Sequence, residues 1–357
     1  MDKLDLKDLT FEELSGWVAS LGEKPFRAKQ IFQWVYRGAH SVSEMTDLSK
    51  GLREKLDGLC EIGHLEIERK LVSKLDGTIK YLFRLRDGNL IESVLMSYKH
   101  GNTLCVSSQV GCRMGCRFCA STIGGLLRSL TPSEIIDQVM KAEEDSGRKI
   151  SNIVMMGIGE PLDNYDNVIK FLKNVNHKDG LNIGYRHISL STCGVVDRIY
   201  DLAEENLPIT LSISLHSPFD EERRKLMPVD VQFPLPSLME ALKAYLNATG
   251  RRISVEYAMI RGVNDTKACA EELAKLFGGM LVHINLIPVN NVAERDFEKS
   301  GAKQIRQFQE RLMKLGLSVT VRRELGSDIN AACGQLRKAV LEEEKREQNK
   351  LAEVKQK

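Results

Sequence analysis

The chain has 357 residues, 42% hydrophobic and 28% charged, a balance that excludes a disordered or fibrous chain and allows one large core with a smaller module attached. Its 51 Lys and Arg stand against 49 Asp and Glu, so bulk charge argues neither for nor against a polyanionic partner. No run reaches the ~18 apolar residues of a membrane span and the acidic, amphipathic start MDKLDLKDLTFEEL is unlike a secretion signal, so no membrane and a cytoplasmic setting are expected. In that reducing setting the eight cysteines read as metal-binding, catalytic or packed.

Residues 1 to about 60 predict a small helical module, because FEELSGWVASLG and RAKQIFQWVY carry apolar residues at helical spacing. In GEKPFRAKQIFQWVYRG, Lys24, Arg27, Lys29 and Arg37 interleave with Phe26, Trp34 and Tyr36, a mixture suited to phosphate contact and base stacking. The plain alternative is a solvated face over a packed aromatic core. From 64 to 110 the pattern turns to strands, LEIERKLV, TIKYLFRL, LIESVLMS and TLCVSSQV, with hairpin turns at Asp76–Gly77 and Asp87–Gly88.

VGCRMGCRFCAS follows, and its Cys112, Cys116 and Cys119 make C-x-x-x-C-x-x-C, with Gly111 and Gly115 letting the loop wrap closely. Three thiolates on a [4Fe–4S] cluster leave one iron open to the amino and carboxylate groups of S-adenosylmethionine (SAM). The alternative is a zinc site that borrows His187 or Cys105, although structural zinc sites usually pair two C-x-x-C knuckles.

Beyond the triplet, helical segments (TPSEIIDQVMKAEED, NVIKFLKNVN, RIYDLAEE, SLMEALKAYLNA, TKACAEELAKLF, KQIRQFQERLMKLG) alternate with strands (ISNIVMMG, HISLST, ITLSISLH, RRISVEYAMI, LVHINLIP, SVTVRRE). Such alternation predicts right-handed parallel βαβ units in an α/β fold, a partial or full (β/α) barrel, with an open doubly wound sheet as the rival. The motifs GIGEP, STCG, SLHS and IPVN all fall where a strand ends, which favours one shared mouth. The expected organisation is a helical module at 1–60, a short β extension at 61–104, a barrel core at 105–340 and a charged tail at 341–357.

The triplet, with Phe118 before its last cysteine, closely resembles the radical SAM superfamily, and GIGEP sits at that superfamily's glycine-acidic motif. Over nearly the whole chain, CRFCASTIGGLLRSLTPSEI, MGIGEPLDNYDNV, SLHSP, NLIPVN and DINAACGQL resemble the RlmN branch of the RlmN/Cfr radical SAM RNA methyltransferases. The resemblance implies a [4Fe–4S] cluster on Cys112, Cys116 and Cys119, and two SAM molecules per turnover, one methylating a cysteine and one supplying a radical. It also implies 2-methyladenosine as product in 23S ribosomal RNA and in tRNA, and an electron donor such as flavodoxin or ferredoxin. Residue by residue, it assigns the methyl carrier to Cys333, the resolving thiol to Cys105 and the proton acceptor to Glu92. It assigns SAM contacts to Gly159, Glu160, Ser191, Ser214, Leu215, His216 and Asn290.

Carrier, base and second thiol suit the chemistry, since a thioether stabilises an adjacent carbon radical and the ring adduct must then lose a proton and its bond to sulfur. The plain alternatives are a helix-start cysteine at 333 and an exposed strand carboxylate at 92. Arg322 and Arg323, just before the Cys333 segment, suit the phosphates beside a flipped-out adenosine. Cfr-type relatives methylate carbon 8 of the same base with the same cysteines, and a different radical SAM enzyme is a further alternative. GEP and LIPVN resemble RlmN, whereas Cys193 in STCG departs from its pattern, either as a thiol at the mouth or as a small buried side chain.

Overall fold

The computed structural model describes residues 3–288, 297–329, 331, 336 and 340. Strand β1 (Leu4–Asp5) pairs with β2 (Cys60–Glu61) and closes a module of three helices, α1 (Phe11–Ser20), α2 (Phe26–Tyr36) and α3 (Lys50–Leu59). The helix α1 begins at a capping box: Thr10 Oγ1 accepts from Glu13 N, and the Glu13 carboxylate accepts from Thr10 N. The aromatics of α2 divide. Tyr36 is buried, Trp34 Nε1 donates to Asp47 Oδ1 at 2.6 Å, and Phe26 is exposed with the Arg27 guanidinium 4.8 Å over its ring.

Three antiparallel strands follow, β3 (Glu66–Val72), β4 (Ile79–Arg84) and β5 (Leu90–Tyr98), joined by turns at which Gly77 and Gly88 take φ of +72° and +82°. Strand β6 (Gly101–Cys105) pairs with β5. The strand predicted over 103–110 is in fact two. Gln138 bonds both the N–H and the carbonyl of Ser107, which takes the chain out of the ladder after Cys105. It resumes as β7 (Gln109–Gly111), antiparallel to β8 (Leu126–Ser129), so that loop 112–125 with the cysteine triplet is closed by a hairpin.

The rest alternates: α4 (Pro132–Ser146), β9 (Ile150–Met155), α5 (Tyr165–Asn176), β10 (Ile188–Thr192), α6 (Val196–Glu204), β11 (Thr210–Ser214), α7 (Asp220–Leu226), α8 (Leu235–Thr249), β12 (Ile253–Met259), α9 (Lys267–Phe277), β13 (Val282–Pro288), α10 (Ala302–Lys314) and β14 (Val319–Val321). Sequence patterning overlooked α7, a charged segment held by the buried Arg223–Asp230 ion pair and by Arg223 donating to Cys193 O at 2.7 Å.

Strands β6, β9, β10, β11, β12, β13 and β14 are all parallel and lie side by side in chain order, with the antiparallel β5, β4 and β3 continuing the same sheet beyond β6. A doubly wound sheet needs a reversal of strand order, and here there is none. The architecture is the partial (β/α) barrel, with a helical module and a β extension at its start. The module docks through the buried Lys7–Asp137 ion pair and through Asn174 Nδ2 donating to Leu9 O at 2.9 Å. Among the described residues no helix is long and apolar enough to cross a membrane.

Candidate active site

The C-terminal ends of the parallel strands and the cysteine loop surround a cavity of about 280 Å³. Cys112, Cys116 and Cys119 all line it. Their loop is tight for local reasons. Gly111, at φ +83°, approaches so closely that a Cβ there would stand 2.0 Å from Gly125 O. Thr122 Oγ1 donates to the carbonyls of Cys116 and Cys119, and Arg117 N donates to Leu226 O at 2.9 Å, tying the loop to α7. Burial pushes the Cys112 thiol up to about 12 and the Cys116 thiol also far upward.

Opposite stand the ends of β9, β10 and β11. Gly159, at φ +109°, admits no side chain, because a Cβ would sit 2.6 Å from Gln109 Cβ and 2.7 Å from Gln109 N. Glu160 is buried; its Oε1 accepts from Leu162 N at 3.1 Å and its Oε2 from Cys193 N at 2.8 Å. Burial raises the carboxyl, opposed first by the Cys193 N–H. Ser191 and Ser214 line the same cavity, as does His216. His216 takes φ +57°, and its Nδ1 accepts from Ala258 N at 2.9 Å, which leaves the proton of the neutral ring on Nε2. Burial, helped by Arg223, pulls that imidazole down to about 3, so it is neutral at ordinary pH.

Leu215 is not brought into the cavity: its side chain is fully buried in the core. Asn290 and Cys333 lie outside the described residues. Cys193 meets both of its readings, since it is buried and also lines the cavity. The zinc alternative loses its borrowed ligands. Neither His187 nor Cys105 lines the cavity that the three cysteines share.

Cys105 ends β6 as a free thiol, half-buried, its sulfur deep enough for desolvation to push it up to about 11. Arg322 and Lys80 oppose that rise and Glu92 adds to it, so all three charges are near this sulfur. Glu92 is not the exposed strand carboxylate of the plain alternative. It is buried, and its Oε2 lies 3.1 Å from Lys80 Nζ, with both side chains essentially without solvent contact. Arg322 also lines the cavity, linking the cluster loop's side of the mouth to Cys105. The segment leading towards Cys333 is strapped to the β3–β4 turn: Asp328 accepts from Ser73 Oγ at 2.7 Å and from Lys74 N at 2.9 Å, and Gly326 N donates to Asp76 Oδ2 at 2.8 Å.

Residues 4–62 match the model of the ribosomal RNA large subunit methyltransferase N-terminal domain, and residues 106–277 that of the radical SAM superfamily. The probable dual-specificity RNA methyltransferase RlmN of Clostridium tetani is 53% identical over 96% of this chain and 99% of its own length. That of Alkaliphilus oremlandii is 54% identical over 96% of this chain and 100% of its own. The chain belongs to the RlmN family. A crystal structure of a radical SAM methyltransferase from Sphaerobacter thermophilus superposes on this RlmN-family chain with a TM-score of 0.87 at 43% identity, covering 93% of this chain and 98% of that one.

A [4Fe–4S] cluster and SAM are therefore the cofactors. The donor set of this RlmN-family site fits them. Three thiols from one loop line the cavity, and as thiolates in so desolvated a place they call for cationic iron. A buried carboxylate stands across from them, suited to an ammonium group. Glu256 was overlooked in the sequence. This buried carboxylate on β12 lines the cavity, its Oε1 accepting from Ser254 Oγ at 2.8 Å and its Oε2 from Asn285 Nδ2 at 2.9 Å. The available signal was a lone charge inside the apolar run ISVEYAMI.

Proposed function

We propose that this chain methylates carbon 2 of adenosine in RNA, making 2-methyladenosine in 23S ribosomal RNA and in tRNA, by way of a methyl group carried on Cys333. The observation that carries the reading is the corner at the end of β6, where a free Cys105 thiol stands beside a buried carboxylate, Glu92, and an exposed arginine, Arg322, at the edge of the cysteine-lined cavity. A cluster that served only radical generation would need no such corner. The relatives named RlmN favour carbon 2 over carbon 8.

In this reading Cys112, Cys116 and Cys119 hold the cluster, and Gly159, Glu160, Ser191, Ser214, His216 and Asn290 hold SAM. Leu215 contributes through backbone alone. Cluster and SAM together supply, when bound, a carbon-centred radical able to activate the methyl group. The chain's own residues do the rest. Cys333 presents the methyl carbon to the base, and Glu92 takes the proton from carbon 2, whose electron pair stays with the ring. The unpaired electron of the ring adduct would pass to the cluster, and the Cys105 thiolate attacks the Cys333 sulfur, so that an S–S bond forms as the product's bond to that sulfur breaks, its electron pair going to the carried carbon, which takes up a proton to become the methyl group. Arg322 and Arg323 meet backbone phosphates, since carbon 2 is reached only in an unstacked base. Lys24, Arg27, Lys29 and Arg37, with the exposed Phe26, offer a further contact surface on the helical module. Flavodoxin or ferredoxin supplies the electron, and the setting is the cytoplasm.

Mass spectrometry of nucleosides from RNA treated with reconstituted protein and SAM tests the reading. 2-Methyladenosine is the expected product; 8-methyladenosine, or no methylated adenosine, would overturn it. In cells, Cys105→Ala is expected to accumulate a protein–RNA adduct on denaturing gels, and Cys105→Ala/Cys333→Ala to lose it.

A further inference from the structure

Strands alternate their side chains, and pairing across β4, β5 and β6 sets Lys80 opposite Val94 and Val94 opposite Cys105, with Glu92 two residues along from Val94 on the same face. One strip of the sheet thus carries Lys80, Glu92 and the reactive thiol. Lys80 and Glu92 have 0% and 1% of their side-chain surface exposed, at an Nζ–Oε2 distance of 3.1 Å. Removing two charges from water costs several kcal/mol each in general, and an apolar pair of similar volume is often as stable. A buried lysine on a sheet strip otherwise made of Leu82, Leu90 and Val94 therefore calls for a reason other than packing.

We propose that Lys80 is a positioning residue for the RNA reaction: its ammonium keeps Glu92 a charged carboxylate, fixed in place on the strip beside Cys105. The inference rests on the reading of Glu92 as proton acceptor. A carboxylate enclosed this deeply takes up a proton if no cation faces it, and a protonated Glu92 has no capacity for the proton of carbon 2. The bond that breaks is C–H and the bond that forms is O–H on Glu92. Among the described residues, the charged groups that act on Cys105 include Lys80 from β4, Glu92 from β5 and Arg322 from the segment after β14. Arg322 is exposed at the mouth, so among the described residues Lys80 is the cation enclosed with the carboxylate.

The test compares Lys80→Met, Lys80→Arg, Glu92→Gln and Lys80→Met/Glu92→Gln by infrared spectroscopy at neutral pH on protein carrying carboxyl-labelled glutamate, and by single-turnover methylation of RNA by the reconstituted proteins. Lys80→Met is expected to gain a protonated-carboxyl band that the double variant lacks, to retain its iron, and to methylate RNA about 100-fold more slowly, the scale of one general base. Lys80→Arg is expected to recover most of that rate and to show no band. The double variant is expected to match Glu92→Gln, because Lys80 acts only through Glu92. With both charges gone it also stands in for Lys80→Met should an unpaired carboxylate prevent folding. No protonated band and a wild-type rate in Lys80→Met, or a double variant slower than Glu92→Gln, would overturn the proposal. A wild-type rate in Glu92→Gln would instead remove the proton-acceptor reading, whatever the infrared band reports.

Discussion

Replacing Glu160 separates the bracing that its hydrogen bonds show from the SAM contact proposed for it. Its Oε1 and Oε2 accept the backbone N–H groups of Leu162 and Cys193, bracing the turn after β9 against the end of β10. Glu160→Ala leaves both N–H groups buried without an acceptor, at about 1–3 kcal/mol each, a cost of about 2–6 kcal/mol against the ~5–15 kcal/mol of a typical fold. Glu160→Gln keeps one carbonyl oxygen and turns an NH2 towards the other N–H, so it should lose about half as much. Both variants lack the charge-assisted bond to the SAM ammonium, about 1.5–3 kcal/mol, which weakens SAM roughly 10- to 160-fold. Thermal unfolding of ligand-free protein reads the first effect, and anaerobic equilibrium dialysis of SAM into iron-loaded protein reads the second. The order expected is wild type, Gln, Ala in stability, with Gln and Ala both weak in SAM affinity and both retaining iron. Wild-type SAM affinity in Glu160→Gln would refute the assignment of this carboxylate to the ligand, and loss of iron in that variant would give it a part in holding the cluster.

Cys116→Ala is expected to lose both stable iron and SAM cleavage, whereas Cys269→Ala, whose thiol meets Thr266 Oγ1 and Tyr257 inside the core, keeps both; metal analysis with a cleavage assay distinguishes them. The Cys105 thiol, pushed up to about 11, should be alkylated by iodoacetamide about tenfold faster per pH unit on the way up to that value, by peptide mass spectrometry; a rate that levels off near pH 8 would contradict its desolvation. Asp328→Ala removes the acceptor for Ser73 Oγ and Lys74 N, so limited proteolysis near 326–331 should speed up several-fold and RNA methylation fall, with SAM cleavage unchanged. Unchanged proteolysis and methylation together would show that the strap is idle.

What was legible in the sequence was local. The cysteine triplet occupies one hairpin loop and Gly159–Glu160 one strand end, so spacing alone brings each set to the cavity. Helix–strand alternation predicted parallel βαβ units, and the strands do lie side by side in chain order, as the barrel reading required. The Leu215 side chain misses the cavity for a reason of parity. Taken as a run, SLH looks like three contacts, but side chains alternate across the sheet, so Ser214 and His216 enter the cavity while Leu215 turns into the core. Helix α7 failed because seven residues, mostly charged, carry no apolar stripe; its order comes from the buried Arg223–Asp230 pair, which joins residues that read separately as surface.

The burial of Glu92, Lys80 and Glu256 was illegible in another way. A lone charge in a strand reads as solvent-facing, since burial without a partner is unfavourable, and the partners here are Lys80 on the adjacent strand for Glu92, and Ser254 and Asn285 for Glu256. Only the register makes the pairing visible. In both cases the buried carboxylate sits on a strand facing either the cavity or the Cys105 corner, and the two regions meet at Arg322, which lines the first and acts on the second. The β extension is therefore more than an appendage. Because β5 pairs with β6 and β6 opens the parallel series, one continuous sheet fixes Glu92 and Cys105 relative to the strand ends that surround the cluster loop. Rigid strands place side chains more precisely than loops do, and a reaction that passes a carbon from one cysteine to a base and a sulfur–sulfur bond to another tolerates little misplacement. That argues that the extension and the barrel act as one wall, to which Gly326 and Asp328 are also strapped through the β3–β4 turn.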